Sequence, residues 1–129
     1  VVRTGIRIDV STSSDDIVIS DNEITNVNST CLLYADNIEF KGNKISVSPS
    51  WDQGTQVIVA NADNYRQMNN VWDLKGVVSQ TAWLNGATGA QIVGETVEDA
   101  LTRLVLDNGT NTETFDNRLK LSGGSWAVV

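Results

Sequence analysis

The sequence predicts a mainly β fold: a right-handed parallel β-helix of about three rungs, followed by a small C-terminal module that is either α+β or β-rich. Three observations predict it. Segments recur along the chain, apolar and polar residues alternate within them, and Asn22, Asn43 and Asn70 occupy one aligned position. We therefore assign residues 1–75 to β-helix rungs and residues 76–129 to a capping and oligomerisation module.

The repeat lies in residues 16–25, 37–46 and 64–73. In the first segment Ile17 and Ile19 stand two residues apart, and in the second Ile38 and Phe40 do the same. This is the period of a β-strand with one buried face. An apolar residue also stands two positions after each asparagine, at Ile24, Ile45 and Trp72. Corresponding residues of stacked rungs lie about 4.8 Å apart, so the asparagines can hydrogen-bond from rung to rung. Asparagine also tolerates the left-handed backbone of tight turns.

Each rung needs a third strand, and an apolar stretch precedes each segment. These stretches are Gly5–Val10, Thr30–Tyr34 and Thr55–Ala60. A loop at residues 48–54 absorbs the longer spacing between the second and third segments. Outward residues also match, because Glu23 would lie against Lys44 and Glu39 against Arg66. The right-handed coil follows from the general preference of parallel crossovers.

The pattern changes after Leu74. Residues 76–94 are rich in glycine, alanine and threonine, and they show no recognisable rung. Further along, Gly123 and Gly124 indicate a turn. The final residues, Trp126–Val129, are expected to form a short apolar strand or tail.

A short helix is predicted from Val97 to Leu106. Thr96 would be its N-cap and Asp99 would stand at the third helical position, which is a near match to a capping box. The apolar residues that follow recur at helical spacing. Gly109 is placed to end the helix.

Composition excludes several classes of function. The chain has no histidine, which removes the commonest general base and zinc ligand. Its single cysteine, Cys31, lies in an apolar run, as a core residue would. The net charge of −7 argues against a nucleic-acid surface, and no apolar run reaches the roughly 18 residues that span a bilayer. We expect no metal, no cofactor and no membrane insertion. The chain opens at Val1 rather than methionine, which suggests a fragment, a processed product or an excised domain.

The asparagine-laddered rungs, together with the C-terminal stretch Gly94–Leu101, resemble the distal part of a bacteriophage tailspike or a related β-helical tail appendage. The resemblance covers the rungs in residues 1–75. It implies a homotrimer at the virion tail, held together by its C-terminal module, in a protein that recognises bacterial surface polysaccharide. We expect this chain to be a structural and assembly part and not the catalyst. One alternative is a polysaccharide hydrolase or lyase with its site on the β-helix surface, and a third interpretation is an autocleaving folding module.

Two groups of residues are candidates for contact with partners. Trp51, with Asp52 and Gln53, lies in the inserted loop, where an exposed aromatic side chain would contact a glycan or another subunit. Packing of Trp51 against the β-helix is the alternative. The residues expected to contact other subunits through the C-terminal module are Val97, Leu101, Leu104 and Trp126.

Carboxylates are the candidates for chemistry, since glycosidases use them in pairs. Asp15 and Asp16 stand at the entry to the first repeat. They align with Asp36 and Asn37 one rung later, which favours a role in a turn. The sequence therefore assigns no catalytic residue and no metal site.

Overall fold

The structure is a computed structural model that describes the backbone of residues 4–9 and all atoms of residues 16–129. Within these ranges the chain forms sixteen β-strands and no helix. The strands are β1 (Thr4–Asp9), β2 (Ile17–Ser20), β3 (Glu23–Val27), β4 (Thr30–Tyr34), β5 (Ile38–Lys41), β6 (Lys44–Val47), β7 (Gln56–Ala60), β8 (Arg66–Met68), β9 (Val71–Asp73), β10 (Gln80–Thr88), β11 (Gln91–Val93), β12 (Thr96–Ala100), β13 (Val105–Thr110), β14 (Glu113–Phe115), β15 (Arg118–Leu121) and β16 (Trp126–Val128).

The first fifteen strands stack in parallel to form three sheets, and each rung contributes one strand to every sheet. The first sheet has the order β1-β4-β7-β10-β13, and the second has β2-β5-β8-β11-β14. The third sheet has β3-β6-β9-β12-β15, and β16 pairs antiparallel with β15 at its edge. The chain is therefore a β-solenoid with four complete turns between β1 and β13. The predicted stack of parallel strands is confirmed.

The residue alignment found in the sequence is also the strand register. Ile17 pairs with Ile38, and Ile45 pairs with both Ile24 and Trp72. Side chains at these positions point inward, where Ile38 is fully buried and Trp72 is 1% exposed. The outward pairs match as well: Glu23 lies beside Lys44, and Glu39 forms an ion pair with Arg66.

Two columns of residues with positive φ turn the chain from sheet to sheet. One column, between the first and second sheets, contains Asn37, Asn64, Gly89 and Asn111. The other, between the second and third sheets, contains Asp21, Gly42, Asn69, Gly94 and Asp116. Only glycine, asparagine and aspartate occupy these positions. Glycine has no Cβ to clash in the left-handed region, and asparagine and aspartate tolerate that region better than other residues. The left-handed residue immediately precedes each ladder position, and the ladder asparagines themselves do not have positive φ.

The rungs continue past residue 75. Strands β10, β11 and β12 pair with β7, β8 and β9 above them and with β13, β14 and β15 below. The rung that the sequence did not show in residues 76–94 is therefore present. Its inward positions in that stretch carry mostly small side chains, Ala82, Ala87 and Ala90 among them. A C-terminal module distinct from the rungs is not confirmed.

The predicted helix from Val97 to Leu106 is wrong. Thr96–Ala100 forms β12, and β13 starts at Val105. The register of β12 shifts between Glu98 and Ala100, where Asp99 has a φ of 58°. This bulge inserts one residue, so the two inward side chains, Val97 and Ala100, are three positions apart and imitate helical spacing.

The core is the column of inward side chains along the axis. Near its middle the rings of Phe40 and Trp72 pack with centroids 5.9 Å apart. At the lower end the inward positions become polar, because Asp107 continues the column of Leu84 and Thr114 continues the column of Ile92. The last described rung therefore presents a partly hydrophilic face, and β16 covers the edge of its third sheet.

Candidate functional site

A groove of 380 Å³ crosses the outer surface where the first sheet turns into the second. Two columns of side chains line it over three rungs: Asp16, Asn37 and Asn64 on one side, and Val18, Glu39 and Arg66 on the other. The first column lies at the turns into the second sheet, because Asp16 and Asn37 immediately precede β2 and β5, and Asn64 lies two residues before β8. The Nδ2 atom of Asn64 donates to Asn37 Oδ1 at 3.0 Å, so these amides form a second, exposed ladder.

The charges in this groove are nearly balanced. Glu39 pairs with Arg66 at 3.4 Å and with Lys41 at 3.2 Å. Asp16 adds a further negative charge at the upper end of the groove. With carboxylates, amides and a guanidinium on one surface, the groove presents donors and acceptors suited to a polar, uncharged ligand. Asp15, the other carboxylate singled out in the sequence, lies outside the described residues.

The outer face of the first sheet carries an apolar stripe. Leu32, Val59, Trp83 and Leu106 follow one another through four consecutive rungs in register. Val59 is 7% exposed although its strand neighbours Ile58 and Ala60 are the inward residues.

The Trp83 ring in this stripe is held in place by a polar neighbour. When the amide of Asn108 is oriented to satisfy both of its atoms, its Oδ1 accepts from Trp83 Nε1 at 3.2 Å and its Nδ2 donates to Asp107 O at 3.2 Å. In the second to fifth rungs, the outward positions two residues further along the chain carry no charge; they are Tyr34, Asn61, Asn85 and Asn108. In the first rung Arg7 pairs with Leu32 and Asp9 pairs with Tyr34, so charged residues continue both columns at the upper end of the sheet.

Trp51 does not have the exposed position predicted for it. Its side chain is 8% exposed and belongs to the core, and its Nε1 donates to Gly54 O at 2.9 Å. The loop therefore folds back and buries its aromatic ring, which is the packing alternative. Asp52 is exposed and accepts a hydrogen bond from the Gln53 side chain.

The residues predicted to face other subunits do not form one surface. Val97 is fully buried and Leu104 is 6% exposed, because both point into the solenoid. Leu101 lies on the outside at the corner before β13, with 49% of its surface exposed. Trp126 is exposed on β16, where the guanidinium of Arg118 lies 5.0 Å from its ring centroid. The helical stripe that would have joined these residues does not exist.

A polar ladder runs through the interior beside the core. The Nδ2 atom of Asn22 donates to Asn43 Oδ1 at 3.0 Å, and Asn43 Nδ2 donates to Asn70 Oδ1 at 3.1 Å. Asn70 Nδ2 then donates to Glu95 Oε1 at 2.8 Å, and the Glu95 backbone N–H donates to Asn117 Oδ1 at 2.9 Å. The predicted ladder of three asparagines is thus confirmed, and it extends for two further rungs.

Glu95 is the residue that sequence reasoning missed. It is fully buried, and burial raises the pKa of its carboxyl to about 7, while hydrogen bonds from Asn70, Trp72 and Gln67 act in the opposite direction. A signal for it was present in the sequence. Gly94 and Glu95 repeat the pattern of Gly42 and Asn43, with glutamate in place of asparagine.

Cys31 has the core position expected from its apolar surroundings. It is 8% exposed and forms no disulfide. Burial raises the pKa of its thiol to about 12. Since the thiolate is the reactive form, a nucleophilic role for Cys31 is disfavoured.

Among residues 16–129, no group of three or more acidic or cysteine side chains is arranged to hold a metal ion. No helix in that part of the chain is long and apolar enough to cross a membrane. Comparison of the chain with family models, curated proteins and solved structures finds no match.

Proposed function

We propose that this chain is a structural and assembly part of a homotrimeric β-helical appendage of the phage tailspike type, located at the virion tail, in a protein that recognises bacterial surface polysaccharide. In this role the solenoid is a rigid rod, and it works by lateral association with copies of itself. The parallel stacking of the strands supports a rod-like role, because each rung contacts only its neighbours and the stack transmits load along one axis.

The observation that carries the assembly role is the outer face of the first sheet. The stripe of Leu32, Val59, Trp83 and Leu106 extends over four rungs, or about 14 Å at the usual spacing of strands. A chain of net charge −7 repels its own copies over most of its surface. Uncharged, aromatic surfaces are typical of the centres of protein interfaces. This face is therefore the best surface over which two copies can approach.

Sedimentation velocity tests the association. The wild-type chain is expected to form a species of 42 kDa, three times its mass of 14.0 kDa. Leu106→Lys places a charge in the stripe and should shift the distribution to monomer. Val71→Lys is the matched control, because Val71 is an outward residue of the third sheet with 47% exposure. A wild-type chain that stays monomeric at the highest concentration tested would contradict the assembly role.

A second candidate function is polysaccharide binding or cleavage in the outer groove. The observation that favours it is the convergence of Asp16, Glu39 and Arg66 with two asparagines in one concave surface. Hydrogen-bond donors and acceptors of this kind recognise the hydroxyl groups of sugars. The near balance of charge favours a neutral polysaccharide over a strongly acidic one.

Titration of the labelled chain with a panel of purified O-antigen and capsular polysaccharides tests the groove. Binding should shift the backbone NMR signals of Asn37, Asn64 and Arg66, and Arg66→Gln should weaken it. Hydrolysis or elimination would release new reducing ends or an unsaturated sugar, and loss of that release in Asp16→Asn would support the enzymatic reading. Shifts confined to other surfaces would rule out the groove as the binding site.

A further inference from the structure

Glu95 occupies a position in the interior ladder that asparagine occupies in the other described rungs. Its Oε1 accepts from Asn70 Nδ2 at 2.8 Å, and its Oε2 accepts from the Asn70 backbone N–H and from Trp72 Nε1, both at 3.0 Å. Gln67 donates a further hydrogen bond to the same carboxyl. The donors come from the third rung and the carboxyl from the fourth, so this one group joins two layers of the stack.

An ionised carboxyl at this position cannot donate the hydrogen bonds that an asparagine amide donates. Asn43, Asn70 and Asn117 each also donate from Nδ2 to a backbone carbonyl of the preceding rung, at 2.9 Å in all three cases. An ionised glutamate has no hydrogen to donate. The fourth rung therefore lacks a link that the second, third and fifth rungs have, and it holds a charge in the interior instead.

Among the buried side chains of residues 16–129 none is positive, so no cation compensates for this charge. Besides Glu95, the buried titratable groups of that range are Tyr65 and Cys31, and burial raises the pKa of both, so they stay neutral. The charged residues of the neighbouring strands, such as Arg66, Asp73 and Glu98, are on the outward positions. Burial of an uncompensated carboxylate disfavours its charged form, whereas four donors favour it.

We propose that Glu95 is a proton-binding position inside the solenoid, and that gain of a proton from solvent tightens the junction between the third and fourth rungs. The inference is independent of the function proposed above. Without a proton, the carboxylate is stabilised only by its donors and keeps its desolvation cost. With a proton, the cost of burying a charge disappears, and the new O–H is available to donate.

The Gln67 side chain connects this carboxyl to a buried chain of hydrogen bonds. Tyr65 Oη donates to Gln67 Oε1 at 2.8 Å, Gln67 Nε2 donates to Thr81 Oγ1 at 2.9 Å, and Thr81 Oγ1 donates to Leu104 O at 2.9 Å. Because Gln67 also donates to Glu95, proton uptake at the carboxyl changes the surroundings of the Gln67 amide.

The direction of the pH effect follows from the raised pKa. The carboxyl has an ordinary value of 4.5 and a folded-state pKa of about 7. Between these values the folded chain binds the proton and the unfolded chain does not, so stability falls as pH rises. The contribution is complete below about pH 4.5 and is lost above about pH 7. Since each pKa unit is a factor of ten, the unfolding equilibrium constant should rise on the order of a hundredfold between about pH 5 and about pH 8.

Urea unfolding of the full chain across this pH range tests the proposal. The wild type should lose stability toward alkaline pH by that factor, and Glu95→Gln, which cannot ionise, should lose most of this dependence. Glu98→Gln is the matched control, because Glu98 lies in the same strand with its side chain 48% exposed, and it should keep the wild-type slope. Equal slopes for the wild type and Glu95→Gln would overturn the proposal.

A direct measurement covers the case in which Glu95→Gln does not fold. NMR of the wild-type chain with ¹³C-labelled glutamate carboxyls follows all five glutamates separately. One of them should titrate near pH 7, and its chemical shift should change together with the side-chain amide signals of Gln67. Titration of all five near their ordinary pKa would refute the proposal.

Discussion

At the scale of single residues, the interior ladder uses both functions of the asparagine side chain. Asn43 Oδ1 accepts from the backbone N–H and from Nδ2 of Asn22, while its own Nδ2 donates to Ile19 O and to Asn70 Oδ1. A buried amide with all its groups satisfied costs little, whereas each unsatisfied group costs about 1–3 kcal/mol. The ladder therefore constrains which residue is tolerated more strictly than the apolar columns do.

Replacement of Asn43 by aspartate is expected to be severe. Asn43→Asp keeps the shape but turns a donor into an acceptor that faces Ile19 O and Asn70 Oδ1, and it places a charge at a site that is 1% exposed. The expected loss in the free energy of unfolding at neutral pH is about 3 kcal/mol or more. Urea denaturation measures it. Asn61→Asp, on the exposed surface of the first sheet, should change stability by no more than about 0.5 kcal/mol.

At the scale of strands and turns, the first three rungs were predictable and the later ones were not. Large inward residues such as Ile38, Ile45 and Trp72 make the repeat of the rungs recognisable in the sequence. The three aligned asparagines show which residues of successive rungs correspond. In the fourth rung alanines fill several inward positions, and Glu95 replaces the asparagine. The bulge at Asp99 then gives β12 a spacing that indicates a helix, because sequence spacing does not report an inserted residue.

The groove and the apolar stripe could be predicted only in part. Pairing of Glu39 with Arg66 follows from the repeat alone. The stripe does not, since Trp83 lies in a stretch where no rung was recognised. Burial of Trp51 depends on how its loop folds back onto the core, and loop conformation is not encoded by a repeat.

Gly109 lies where two neighbouring strands, β13 and β10, approach each other closely. A Cβ at Gly109 would overlap the backbone oxygen of Ala87 in β10, which cannot move without disturbing the sheet. Gly109→Ala should therefore destabilise the chain by about 3 kcal/mol, at the upper end of the usual cost of overpacking. Thermal and urea unfolding measure this cost.

Gly86→Ala is the control for that substitution. Gly86 has a φ of 74°, and a Cβ there would meet no atom within 4 Å. Gly86→Ala should therefore lower the free energy of unfolding by about 1–2 kcal/mol, which is the cost of the left-handed backbone alone. An equal loss in the two variants would show that the strands can separate to admit a methyl group.

At the scale of the whole molecule, the solenoid is nearly one-dimensional, since every rung contacts only the rungs above and below it. The stability of such a stack is a sum of terms for rungs and for junctions between rungs. Interior rungs have two junctions, and the fifth rung has one among the described residues. Within the fifth rung the three sheets also differ, because β16 covers β15 while β14 is exposed at all three of its residues.

Amide hydrogen exchange should follow this order along the axis. Amides of β11 that bond to the rung above are expected to exchange slowest, those of β15 faster, and those of β14 fastest. The reason is that local opening of β14 breaks one junction with little apolar burial, whereas opening of β11 breaks two and exposes Ile92. Exchange followed residue by residue by NMR gives the protection factors directly. Equal protection in β11, β14 and β15 would mean that the stack opens only by global unfolding, which contradicts the independence of its junctions.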